Sequence, residues 1–247
     1  MSDDVFFWFI LIGFAAQIVD GTMGMAYGVI SNSAMIAIGM PPAHASANVH
    51  AAEMFTTAAS GVSHALAKNV DWSVFWRLAV FGSIGAIAGA LIVSLVHTEL
   101  IRPFIAAYLF CMGIVVIVKG LRPVSSHVQI KRVGVLGLCG GMADTIGGGG
   151  WGPVVASSLI AKGGDPGKMV GTVNLAEFFV TVAASISFLA VLGPSFGKAA
   201  LGLLVGGVIA APIAAWAVGR FPKKWLTLGV GCAICLISLY NLHRSIF

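Results

Sequence analysis

The sequence predicts an all-α polytopic membrane protein made as an inverted repeat, each half holding one re-entrant broken-helix hairpin and three transmembrane helices. Three observations lead there. Hydrophobic residues make up 58% of the chain and charged residues 9%, with a mean hydropathy of +0.98, whereas soluble domains carry about a quarter charged residues. Residues 13–63 reappear at 137–187, agreeing at 16 of 51 positions without a gap, among them Asp20/Asp144, Gly24/Gly148, Gly28/Gly152, Gly39/Gly163, Pro42/Pro166, Glu53/Glu177 and Thr57/Thr181. The shared residues are glycines, prolines and carboxylates, which lipid-embedded segments ordinarily avoid, and a duplicated interrupted segment of this kind points to a midplane binding site. The third observation is the distribution of basic residues.

Ten apolar stretches follow in order. In the first half they lie at about 5–20, 24–39, 44–66, 76–96 and 102–118; in the second, at about 133–146, 151–161, 168–192, 198–218 and 224–242. A full crossing needs about 20 residues. The first two stretches of each half are shorter and meet at a glycine-rich break, so each pair reads as a hairpin that returns to its own side. With hairpins at about 5–39 and 133–161, eleven of the fourteen Lys and Arg fall on one face, leaving only Arg102, Lys198 and Arg244 opposite. If each pair crossed once, the split would be eight to six, so the positive-inside rule favours the hairpins. The first repeat is then residues 1–122 and the second 133–247, joined by a cytoplasmic connection at 123–132. Three spans per half put the halves in opposite orientations and both termini away from the cytoplasm. The acidic start, Met1-Ser2-Asp3-Asp4, differs from a secretory leader.

The breaks read Asp20-Gly-Thr-Met-Gly-Met-Ala-Tyr-Gly28 and Asp144-Thr-Ile-Gly-Gly-Gly-Gly-Trp-Gly152. Glycine lets backbone approach a ligand closely. A half-helix beginning near Pro153 leaves free N–H groups that attract anions. Asp20 and Asp144 are expected to cap the following half-helices. After the first hairpin, Ser46, His50, Glu53, Thr57, Ser60 and His64 recur at steps of four and three, which places them on one helix face. The second half keeps Asn174, Glu177 and Thr181. Such a stripe belongs in the bundle interior, because a charge at the bilayer centre costs at least ~2.5 kcal/mol. Glu53 and Glu177 lie about 15 Å along their helices, near mid-membrane, and are the expected proton-coupling or gating pair; a buried bridge is the bland alternative. Asn48 and its counterpart Thr172 sit off the stripe, open to packing or ligand contact. Cys111, Cys139, Cys232 and Cys235 lie in apolar stretches and read as small hydrophobes; a lone Cys-x-x-Cys supports no zinc site. No metal, cofactor or nucleic acid is expected.

These residues carry a resemblance. Gly13-x6-Asp20-x3-Gly24-x3-Gly28 with Gly39-x-Pro-Pro, and the echo Asp144-x2-Gly-Gly-Gly-Gly-x-Gly-Pro with Gly163-Gly-Asp-Pro, resemble the sulfite exporter TauE/SafE family, also called the toluene sulfonate uptake permease family. The likeness covers most of the chain. It implies a transporter in the inner membrane of a bacterium, with a small inorganic or organic sulfur anion as its cargo, the lipid bilayer as its surroundings, and room for a homo-oligomer. Met23 and Met25 depart from the pattern, standing opposite Gly147 and Gly149, so the second break is the better anion site.

The leading expectation is therefore a secondary transporter, an exporter, of sulfite, thiosulfate or an organosulfonate. Its substrate would be held at mid-membrane by Asn48, His50, Thr172, Asn174, Gly24, Gly148, Gly149, Gly150 and Trp151, with alternating access and a proton link. A proton-coupled cation or metal-ion transporter is the alternative, since Asp20, Glu53, Asp144 and Glu177 repel anions when ionised. An enzyme is not expected: the chain has no His-Glu-x-x-His, no Gly-x-Ser-x-Gly and no evident nucleophile beside a base.

Overall fold

The structure, a computed structural model, describes residues 3–23, 25–121, 132–161, 165–194, 197–217 and 223–246. Gly24 and the connection at 123–131 lie outside them. Among the described residues there are ten helices: α1 Asp3–Met23, α2 Tyr27–Ala37, α3 Pro42–Leu66, α4 Trp72–Leu95, α5 Thr98–Leu121, α6 Val133–Gly147, α7 Ser157–Ala161, α8 Pro166–Leu192, α9 Lys198–Ala217 and α10 Lys223–Ile246. A π-helical turn, Gly152–Ala156, leads into α7.

Local chemistry sets the boundaries. Pro42 and Pro166 stand in the first turns of α3 and α8, where the missing N–H is no loss. Asp71 accepts from Ser73 N and Val74 N at 3.0 and 3.2 Å and starts α4; Asp165 accepts from Lys168 N at 2.9 Å and starts α8. At the end of α6, Gly148 turns left-handed (φ 64°) and the Gly149 N–H closes on the Asp144 carbonyl at 2.9 Å, a glycine stop.

One expected length changes. α1 continues past Asp20 to Met23, giving 21 residues, about 31 Å of helix, so shortness does not distinguish a half-helix from a crossing there. Asp20 and Asp144 both reach seven residues forward, and both helices end three residues past the carboxylate, so the extra length of α1 lies at its N-terminal end. In the second half α6 is 15 residues long, as the short stretch predicts. α4, α5 and α8 each hold a segment long and apolar enough to cross a membrane: Trp72–Leu95, Thr98–Val118 and Lys168–Leu192. α3, at 25 residues, has the length for a crossing, but its polar stripe keeps it from reading as a plain apolar span.

The bundle is interleaved. The heaviest packing joins α4 with α6, α1 with α9, α5 with α10, α4 with α8 and α3 with α8. Exchanging the first five helices for their counterparts turns α1–α9 into α6–α4 and leaves α5–α10 and α3–α8 as they are. Small residues permit the approach: Gly13 lies against the Leu203 backbone, Gly141 against Gly82, Gly85 against Leu138 and Gly206 against Ile10. Large apolar side chains, among them Trp76, Ile84, Leu95, Phe104, Leu201, Val208 and Leu236, stand exposed on the outside, and the exposed cysteines 111, 139 and 232 are unbridged. A soluble protein seldom shows such a surface; lipid accounts for it.

Candidate functional site

The two breaks meet. A Cβ on Gly28 would lie 2.8 Å from Gly149 Cα and 2.9 Å from Glu53 Oε1, and one on Gly149 (φ 155°) would strike Gly28 and the Val29 nitrogen. Only glycine on both sides allows backbone to cross backbone this closely. The sequence places the close approach in the second break; the structure adds Gly28 as its partner.

Beside this crossing lies a cavity of about 280 Å³, walled by both halves. Asp20, Glu53, Asp144 and Glu177 all face it, with Gln17, Tyr27, Thr56, Thr57, Ser60, His64, Asn174, Gly150 and Trp151 among the other lining residues. Glu53 is 6% exposed. It takes the Gly28 N–H on its carboxyl, while its Oε2 has no hydrogen-bond partner. Glu177, Asp144 and Asp20 lie close enough to repel its charge. Among the described residues, no three of His, Cys, Asp and Glu are grouped to hold a metal ion.

Both break carboxylates reach seven residues forward. Asp20 Oδ1 accepts from Tyr27 N at 3.4 Å and Asp144 Oδ1 from Trp151 N at 2.9 Å, the first N–H groups after each break. They do so from the last turns of α1 and α6. Asp144 has a second partner: its Oδ2 is 3.2 Å from His50 Nε2, with His50 0% and Asp144 2% exposed. His50 Nδ1 lies 2.8 Å from the Ser46 carbonyl, which can only accept, so Nδ1 carries the hydrogen. Nε2 is then the nitrogen that meets Asp144 Oδ2.

Three more first-half groups hold the same turn. Ser46 Oγ donates to the Thr145 carbonyl at 2.6 Å, the Asn32 amide to the Gly147 carbonyl, and Tyr108 Oη to the Gly149 carbonyl at 3.0 Å. Trp151, fully buried, donates its indole N–H to the Val173 carbonyl at 3.2 Å.

Of the residues singled out in the sequence, the cavity gathers Asp20, Glu53, Asp144, Gly150, Trp151, Asn174 and Glu177. Asn174 donates to Ser60 Oγ at 2.9 Å. Gly148 and Gly149 sit at the crossing just behind the cavity, and His50 is turned toward Asp144. Asn48 and Thr172 are elsewhere. Asn48 Oδ1 accepts from Ala200 N at 3.0 Å while its amide binds the His44 carbonyl; Thr172 Oγ1 accepts from Asp71 N at 2.8 Å. Each ties its helix to the start of the next long helix in the opposite half. The contacts of Tyr27, Asn32 and Tyr108 are not readable from the sequence because their partners, the carbonyls of Leu203, Gly147 and Gly149, lie far away in the chain; Gln17 is an isolated polar residue in an apolar helix.

Interleaved apolar helices around a buried polar cavity walled by two broken segments define a polytopic membrane transporter. The chain belongs to the sulfite exporter TauE/SafE family, whose model matches residues 9–241. It is 42% identical over 244 residues, 95% of this chain and 81% of the relative, to a protein of Bacillus subtilis (strain 168) named "Probable membrane transporter protein YtnM". No solved structure gives a significant match. The family and this relative are membrane transporters, and the chain is a membrane transporter rather than an enzyme.

Proposed function

We propose that the chain is a secondary transporter that exports a small sulfur-containing anion, such as sulfite, thiosulfate or an organosulfonate, across a bacterial inner membrane. The cavity between the breaks is the substrate site. Carrying this reading is the convergence of both duplicated breaks on one polar cavity, in a chain whose family is described as sulfite exporters. Ser60, Asn174 and His64 supply donors to an oxyanion, while the Thr56 and Thr57 hydroxyls are committed to the Glu53 carbonyl. Glu53 and Glu177, one from each half, take up the protons that let an anion enter beside carboxylates. The packing pattern that survives exchange of the halves supports a duplication of 1–122 and 133–247; on this reading the repeat is inverted, with the breaks as re-entrant tips, both termini outside and the halves rocking about the site.

Glu53 Oε2, unpartnered in a cavity with three other carboxylates, favours a second reading: a proton-coupled cation carrier. Reconstituted protein in proteoliposomes separates the two. Labelled sulfite or thiosulfate flux that accelerates under an imposed proton gradient is the expected result. A current that follows a cation gradient and ignores both anions would replace the first reading by the second.

A further inference from the structure

We propose that Asn32, Ser46, His50 and Tyr108 work together as positioning residues that clamp the Asp144–Trp151 turn into a fixed wall of the cavity, and that this clamp makes the duplicated halves unequal. All four belong to the first half, on α2, α3 and α5; all four act on the second break. Their targets are spread along the turn: the Asp144 carboxylate and the carbonyls of Thr145, Gly147 and Gly149. Asn32, Ser46 and His50 are fully buried, so no water competes for these bonds.

The turn needs such support. Gly148, Gly149 and Gly150 have φ of 64°, 155° and 144°, and three successive glycines hold a shape poorly by themselves. A Cβ on Gly148 would fall on the Asn32 amide and one on Gly150 on the Tyr108 hydroxyl, so clamp and glycines are fitted to each other. At the positions that correspond to Asn32, Ser46 and His50, the sequence does not repeat this device. Within the aligned stretch, the positions 124 residues after Asn32 and Ser46 are Ala156 and Val170, which carry no polar side-chain atom, and Asn174 stands for His50 and donates to Ser60. A symmetric pair of tips would need donors at all of them. The turn that brings Gly150 and Trp151 to the cavity is thus held by the opposite repeat at the Asp144 carboxylate and the carbonyls of Thr145, Gly147 and Gly149, and rocking of the halves has to carry the clamp and the turn as one body.

Tyr108→Phe and Ser46→Ala test this, each deleting one hydroxyl and little else. Hydrogen–deuterium exchange of the protein in lipid nanodiscs is the first readout and involves no substrate. Losing a hydrogen bond of ~1 kcal/mol should speed exchange at residues 147–152 about five-fold, with the double variant faster than either and α4 amides unchanged. Thiosulfate flux is the second readout and rests on the cavity being the substrate site. There a looser wall raises KM several-fold with Vmax nearly kept, and His50→Gln, which retains a donor for Asp144, stays closer to the unmodified protein than His50→Ala. Exchange at 147–152 unmoved in both single variants would overturn the clamp, whatever the cargo. Absence of any anion flux with faster exchange would leave the clamp standing and remove the proposed substrate instead. Faster exchange with an unmoved KM and reduced Vmax would show a merely structural brace and would also overturn the positioning role.

Discussion

Replacing His50 by alanine isolates the buried pair that anchors the second break. With His50 and Asp144 exposed by 0% and 2%, Asp144 would keep its bond from the Trp151 N–H but lose its side-chain partner. Breaking a buried pair from one side costs about 3–5 kcal/mol. The His50 ring also packs near Phe188, with centroids 6.1 Å apart, so part of any loss is packing. Asp144→Asn in the His50→Ala background separates the two: the amide oxygen can still accept from Trp151 N, but no stranded charge remains, and the loss should shrink to roughly 1–2 kcal/mol. Thermal scans of the detergent-solubilised protein at one fixed rate measure the difference. For a chain of this size 1 kcal/mol moves the midpoint by about 2–4 °C, so His50→Ala should fall by roughly 6–20 °C and the double variant should recover more than half. If the double variant melts no higher than His50→Ala, the uncompensated charge is not what destabilises the protein, and the reasoning about this pair fails.

Gly149→Ala should abolish flux, because its Cβ meets Gly28 and Val29 backbone that cannot step aside; Gly193→Ala, at φ 70° and ψ −166° with nothing within 4 Å, should lose about 1–3 kcal/mol of stability and keep transporting. Asn48→Ala and Thr172→Ala, which untie α9 and the start of α4 from the opposite half, should each lower stability by about 0.6 kcal/mol, read by thermal scan, with the KM for thiosulfate unchanged; a many-fold rise in KM would return them to the substrate site. Asp71→Ala removes the cap of α4 and should cost about 1 kcal/mol, recovered by Asp71→Ser. Apparent affinity for thiosulfate, an anion whose own charge is constant between about pH 5.5 and 7.5, should rise as pH falls, because protons on the cavity carboxyls remove the repulsion; an affinity flat across that range would remove the proton from the binding step.

Much of this was legible because the chain marks its own irregularities. Pro42, Pro166 and Asp71 sit where helices begin, and the stripe on α3 from Glu53 through Thr57 and Ser60 to His64 lines the cavity as its period requires. The other end of that stripe misled. From Ser46 to His64 is about 27 Å of helix, longer than one small cavity, so Ser46 and His50 face the second break rather than the cavity. Asn48 and Thr172 were unreadable for a different reason: a buried amide or hydroxyl in a membrane helix must find a partner whether or not a ligand exists, and periodicity does not say which neighbour supplies it. Asn32 had a signal, though a faint one. It is a polar residue whose repeat counterpart, Ala156, is not polar, and a duplicated chain that departs from itself at a buried position is recording a contact made once.

The same departure bears on how an anion can enter a cavity faced by four carboxylates. Asp144 is paired with His50, but the counterpart of His50 near the first break is Asn174, so Asp20 has no matching histidine. Asp20, Glu53 and Glu177 are left to set the charge of the site. One ionised carboxylate about 4 Å from a unit anion opposes binding by about 4 kcal/mol at the effective dielectric of a protein surface, about a thousandfold in affinity. Hydroxyl and amide donors at roughly 1 kcal/mol each do not offset three such repulsions. On the proposed reading, then, protons on these carboxylates are a condition of anion binding rather than an addition to it. Each proton that enters with the anion cancels a unit of the charge moved, so the number of carboxyls that must be protonated fixes how strongly the membrane potential assists export.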